Sequence, residues 1–118
     1  MRLPIEVVEH QLNAYNLKNI ETFMESWHSE AEYYSHPNTL LARGLKEIRE
    51  RHVERFREPD LFGKLVSRIQ IDALVIDHEI VTRNFPEGKG KVEVVCIYEV
   101  QKEKITKAWF ILGNREME

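Results

Sequence analysis

Apolar residues recur at helical spacing in the first half of the chain and at every second position in the last. Ile5, Val8, Leu12 and Tyr15 mark one face of a first helix, opened by Pro4 in its first turn. Asn16 and Asn19 punctuate the chain and cap a second helix with Ile20, Phe23, Met24 and Trp27 on its inner face. Gly44 starts a third, with Glu47 in its first turn, an inner stripe of Leu45, Ile48, His52 and Phe56, and Pro59 at its end.

After that the period changes. The run LVSRIQIDALVIDHEIVTRNF alternates and is rich in valine and isoleucine, and it divides near Asp72 and Ala73 because it is too long for one strand. VEVVCIYEV and ITKAWFIL follow as two further strands joined by the polar turn QKEK. A shorter strand, EYYS, runs into His36 and Pro37 ahead of Gly44. Helices first and antiparallel strands after imply an α+β fold, with helices over one face of a sheet. If the sheet bends strongly around them it leaves a cone with an open mouth, a shape that holds small ligands.

Composition narrows the functions. The 118 residues, 42% hydrophobic and 31% charged, predict one ordinary globular domain. A formal net charge of −3 gives no footprint for nucleic acid or an anionic membrane. The basic run RERHVERFR is interrupted by glutamates and reads as a solvated helix face. A single cysteine, Cys96, excludes an internal disulfide and a multi-cysteine metal site. No secretory leader or membrane span is expected from MRLPIEVVEHQL or any later run, so the expectation is a cytoplasmic protein.

The order of elements, carried by AYNLKNIETFMESWHSEAEYYSHP, LLARGLKEIRERHVERF and VVCIYEVQKEKITKAWF, resembles the NTF2-like superfamily, within it the SnoaL-like and steroid Δ-isomerase-like groups. The likeness spans the chain as a single domain, 1–118. It implies a cone of strongly curved, mostly antiparallel sheet with about three N-terminal helices on its concave face, and a homodimer. Ketosteroid isomerases of this superfamily place a general-base aspartate where His36 stands and a protonated aspartate where Cys96 stands. A tyrosine on their first helix falls at Gln11, and a supporting tyrosine at His52. None of these residues is retained here. The superfamily spans isomerases, dehydratases, cyclases, epoxide hydrolases and proteins that only bind.

Several residues are candidates for chemistry. His36 sits where proline ends the strand, and histidine titrates near neutrality, so it is the candidate acid or base. Alternation puts Glu32, Tyr34 and His36 on one face, making Tyr34 a hydrogen-bond donor beside it. His52 lies on the apolar stripe of its helix as a second candidate. On VIDHEIV the less charged face, with Ile76, His78, Ile80 and Thr82, is assigned inward; the opposite register would make Asp77 and Glu79 the pocket acids. Tyr15, Trp27, His78, Val94, Cys96, Tyr98 and Phe110 are the expected lining. No metal site and no cofactor are expected. Val95, Ile97, Trp109 and Ile111 would then point outward, an apolar patch that a sheet-to-sheet dimer covers.

Together these predict a cofactor-free small-molecule enzyme using general acid–base chemistry (isomerisation, dehydration or cyclisation) on an apolar, carbonyl-bearing ligand. The alternatives are a binding module with the same cone, and a dimerising domain whose interior is packed solid.

Overall fold

Pro4 opens α1 (Pro4–Leu17) in the computed structural model, which describes residues 2–118. The Leu3 N–H donates to Glu6 Oε1 at 2.8 Å, closing the helix start, and Lys18 ends it in the left-handed region at φ 56°. Asn19 caps α2 (Ile20–Met24) by accepting the Thr22 N–H at 3.1 Å. This helix is shorter than the sequence pattern implies: Trp27 begins β1 (Trp27–Ser35) instead. After β2 (Thr39–Arg43), Gly44 turns the chain into α3 (Gly44–Arg55) at φ 80°, a conformation that favours glycine. The Arg43 N–H is satisfied by Glu47 Oε1 at 2.8 Å.

β3 (Phe62–Ile71), β4 (Leu74–Phe85), β5 (Gly88–Gln101) and β6 (Lys104–Met117) complete a six-stranded sheet in the order β2-β1-β6-β5-β4-β3. Only β1 and β6 run parallel. The chain does turn at Asp72, φ 52°, and at Lys102 and Glu103, φ 50° and 65°, the positive values that tight hairpins need. The sheet is open. Register shifts interrupt the ladders at Tyr33/Tyr34, Leu65/Ser67, Val92/Val94 and Glu99/Val100, and irregularities of this kind bend and twist strands.

All three helices sit on one face, α1 across β3 to β6 and α3 against β1 and β2. The enclosed core joins Val7, Val8 and Ala14 of α1 and Phe23 of α2 to Val75, Val100, Ile105 and Ala108 of the sheet. Asn16 ties the end of α1 to β3 as a strand neighbour would: its Oδ1 accepts the Gly63 N–H at 2.8 Å and its Nδ2 donates to the Gly63 carbonyl at 3.0 Å. No helix among the described residues is long and apolar enough to cross a membrane.

The other face of the sheet carries no helix. A row of residues crosses all six strands there by direct pairing: Ile69, Ile76, Ile97, Trp109, Tyr34 and Leu40. The next row on one side is charged: Glu99, Lys107, Glu32 and Arg43.

Candidate functional site

Between α1, α3 and the covered face of the sheet lies a cavity of about 110 Å³. The interior is therefore not packed solid. An apolar cavity of about 150 Å³ accepts benzene, so this one has the scale of a small organic body.

The strands set its floor. Alternation along β4 turns Val75, Asp77, Glu79 and Val81 inward, all of them buried. Along β5 the same alternation turns Val92, Val94, Cys96 and Tyr98 inward. Glu79 pairs with Val94 across the ladder, and Asp77 with Cys96. The result is a carboxyl, a thiol and a phenol in one apolar floor: Glu79, Cys96 and Tyr98 all line the cavity.

Burial here is tolerated because the charges are managed. Asp77, at 0% exposure, accepts two hydrogen bonds from Arg68 of β3, Nε to Oδ1 at 2.6 Å and Nη2 to Oδ2 at 2.9 Å. Arg68 also reaches Glu9 of α1 through Nη1. Glu79 has no such partner. Desolvation, and next the Asp77 carboxylate, push its carboxyl up to about 7, against the Cys96 hydrogen bond and Arg68. The Cys96 Sγ donates to Glu79 Oε2 at 3.6 Å. Burial holds both the Cys96 thiol and the Tyr98 phenol far above their ordinary values, so each stays a hydrogen-bond donor. A thiolate nucleophile is not available at Cys96.

Gly63 lets β3 pass close to the acid. A methyl group there would stand 2.9 Å from Glu79 Oε1 and 3.3 Å from Leu12 Cδ1.

The walls and mouth have a different character. Tyr15 and Gln11 of α1 and Tyr33 of β1 line one side, and Phe110 stacks on Tyr33 at 4.4 Å between centroids. Leu41 and Leu112 rim the opening. Arg51 and Arg55 of α3 and Arg83 of β4 bring guanidinium groups to the cavity. Burial raises the Tyr15 and Tyr33 phenols, opposed by the nearby Arg55 and Arg51 respectively.

Several expected site residues lie elsewhere. His36 is exposed and outside the cavity, its N–H bonded to the Phe110 carbonyl at 3.0 Å and its bond to Pro37 cis. β1 presents Tyr33 inward, so Tyr34 turns to the outer face and stacks on Trp109, centroids 6.0 Å apart and planes 12° from parallel. His78 is on that outer face too, 2.5 Å from Glu93 Oε2, because β4 buries its acidic side. His52 is buried among Tyr15, Phe23, Tyr33 and Phe56, with Nδ1 2.8 Å from the Ile48 carbonyl. A carbonyl only accepts, so Nδ1 carries the proton; burial lowers the ring to about 4 and keeps it neutral. Trp27 is likewise core, packed on Phe23, Tyr33 and Tyr98. Tyr15, Val94, Cys96, Tyr98 and Phe110 do line the cavity. Among the described residues no group of three or more His, Cys, Asp or Glu side chains is placed to hold a metal ion.

Arg51, Arg55 and Arg83 are the site residues that sequence reasoning left aside, and Glu79 enters it only through the opposite register of β4. Arg51 and Arg55 had a signal in their spacing: four residues apart, they share a helix face with the inward His52.

No protein-family model matches the sequence, and no curated protein matches it. Solved structures do. An uncharacterised cystatin-fold protein from Novosphingobium aromaticivorans is 20% identical, over 94% of this chain and 99% of that one, with a TM-score of 0.87. An NTF2-like protein of unknown function from Cytophaga hutchinsonii is 11% identical, over 96% and 92%, at 0.80. IdmH, a putative polyketide cyclase from Streptomyces antibioticus, is 16% identical, over 96% and 94%, also at 0.80. Others of this shape are described as ketosteroid isomerase-like in fold, SnoaL-like and epoxide hydrolase-like. By its helices, its strand order and these likenesses, the chain has the NTF2-like fold.

Proposed function

We propose that the protein is a cofactor-free proton-transfer enzyme acting on a small carbonyl compound, with Glu79 as the acid–base group. The observation that carries this is a buried carboxyl, poised near neutrality, in the floor of a cavity. A catalytic acid or base works best when its pKa is close to the working pH, and such groups contribute about 10²–10⁴-fold in rate. Tyr98 stands beside it as a neutral donor for a developing enolate oxygen. In this role Glu79 takes a proton from the carbon next to the carbonyl and returns it at a second position. Enolisation is the common step of isomerisation, dehydration and aldol cyclisation.

Deuterium exchange tests the step without knowing the product. Small cyclic ketones and small keto acids are incubated in D₂O with the protein and label at the α-carbon is followed by NMR. Acceleration over buffer by the parent chain, lost by about 100-fold or more in Glu79→Gln, is the expected result. Exchange no faster than buffer across the panel, or unchanged in Glu79→Gln, defeats the reading.

A second reading, ligand binding without turnover, draws on the Cys96 hydrogen bond, which occupies one oxygen of the Glu79 carboxyl. Binding with no exchange would favour it.

The outer sheet face suits a second copy of the chain. Its apolar row is flanked by alternating charges, Glu99, Lys107, Glu32 and Arg43, which a two-fold axis can set against their opposites. Val95, Ile97, Trp109 and Ile111 would lie inside that contact.

A further inference from the structure

The mouth of the cavity is built from arginines whose charge is incompletely matched. Arg83 forms a two-bond pair with Glu58, Nε to Oε1 at 2.8 Å and Nη2 to Oε2 at 2.9 Å. Arg55 leans on the same Glu58, Nε to Oε2 at 3.5 Å. The next carboxylate, Glu54, turns away to Arg57 at 3.1 Å. Arg51 has no carboxylate partner among the described residues, and its guanidinium lies over the Tyr33 ring, 5.2 Å from the centroid. Its Nε is buried without a hydrogen-bond partner.

That orphaned donor is informative because of how this chain uses arginine elsewhere. Arg68 on Asp77, and Arg83 on Glu58, both present the Nε and Nη2 edge to the two oxygens of a carboxylate. Arg51 lines the cavity with no carboxylate among the described residues set against its own fork. A planar carboxylate fits such a fork, whereas a neutral carbonyl satisfies half of it. Three guanidinium groups gather here, of which two, Arg55 and Arg83, share the Glu58 carboxylate, in a chain whose formal net charge is −3, so the positive field is local to this opening.

We propose that the cavity takes a small organic carboxylate, its acid group held by Arg51 with Arg55 beside it, and its apolar body directed toward Glu79, Cys96 and Tyr98. This deepens the reading above and rests on the same cavity: the substrate is an acid that also carries a carbonyl, not a neutral ketone. The cavity volume and the apolar side chains Val81, Val94 and Phe110 limit the body to about one ring or a short chain.

Matched probes test this without any turnover, so the outcome is separable from that of the exchange assay. Benzoate, benzyl alcohol and phenyl phosphate are titrated into the parent chain and followed by amide NMR. Benzoate is expected to bind about tenfold or more tighter than benzyl alcohol, with shifts at Arg51 and Arg55, and to weaken as salt rises. In Arg51→Gln the preference should fall to about twofold or less. Arg51→Lys, which keeps the charge and loses the fork, should recover only part of it; it also serves if the glutamine variant does not fold. Equal binding of benzoate and benzyl alcohol, a preference unaltered by either substitution, tighter binding of phenyl phosphate than benzoate, or no binding of any probe would each overturn the proposal.

Discussion

Cys96 directs its S–H at Glu79 Oε2 across 3.6 Å, at the centre of a floor from which water is largely excluded. The carboxyl thus meets a weak donor rather than a cation, while its neighbour Asp77 takes Arg68. Two carboxyls two residues apart on one strand face thus have different partners.

The titration of Glu79 makes stability fall as pH rises. Its carboxyl holds a proton up to about 7 in the folded chain, against 4.5 for a glutamate free in water. The native state therefore binds the extra proton between these values. The stabilisation is full below about 4.5 and lost through 7, amounting to roughly 2–4 kcal/mol. Urea denaturation at pH 4.5 and pH 8 should show this loss in His52→Phe, where the opposing titration of the buried imidazole is removed, and not in the His52→Phe, Glu79→Gln double variant.

His52 tilts the curve the other way. Burial lowers the ring from 6.5 to about 4, so the unfolded chain binds the extra proton between those values. Stability is full above about 6.5 and lost as pH falls through 4, by roughly 2–4 kcal/mol. Over the shared window the two slopes oppose each other. Glu79→Gln should expose the full acid slope, and His52→Phe should remove it; denaturation midpoints between pH 4 and 7 read both.

Arg68→Met should cost about 3–5 kcal/mol, since it leaves the Asp77 carboxylate buried and uncompensated. Replacing both, Arg68→Met with Asp77→Leu, should recover most of that loss. Guanidinium denaturation of the two variants checks it; equal stability of the single and double variants would count against the pairing.

Gly63→Ala should destabilise by about 1–3 kcal/mol, because the added methyl meets Glu79 Oε1 at 2.9 Å. In a Glu79→Ala background the same substitution should cost clearly less, leaving only the contact with Leu12. A double-mutant cycle measures the difference.

If the proposed outer-face pairing forms, the parent chain should sediment as a dimer and Trp109→Glu, which places a charge in the middle of the outer row, as a monomer. Parent chain that sediments as a monomer would overturn the pairing, and a variant that remains dimeric would move the interface elsewhere.

Periodicity carried most of the architecture. The three helix starts at Pro4, Asn19 and Gly44, the hairpin at Asp72 and the turn at Lys102 and Glu103 follow from local residue chemistry, which the sequence displays. The site was harder because alternation defines two faces without saying which is inside. On β4 the inner face is the acidic one: a strand's own pattern cannot reveal that Arg68, on another strand, neutralises Asp77, or that Glu79 keeps its proton. On β1 the inner tyrosine is Tyr33, and with it the histidine before Pro37 leaves the interior. Arg51 and Arg55 looked like solvated charge because glutamates surround them in sequence; in the helix, Glu50 and Glu54 are exposed while the arginines line the opening.

The ladder irregularity between Leu65 and Ser67 has a protective consequence. β3 is a free margin of the sheet, with Val66, Ile69 and Ile71 largely exposed and Asn16 shielding only Gly63. A long flat margin of that composition would recruit strands from neighbouring molecules. The extra residue kinks it out of plane, so an incoming strand cannot match its spacing along the whole length. An unclosed sheet can then enclose a cavity without seeding fibrils.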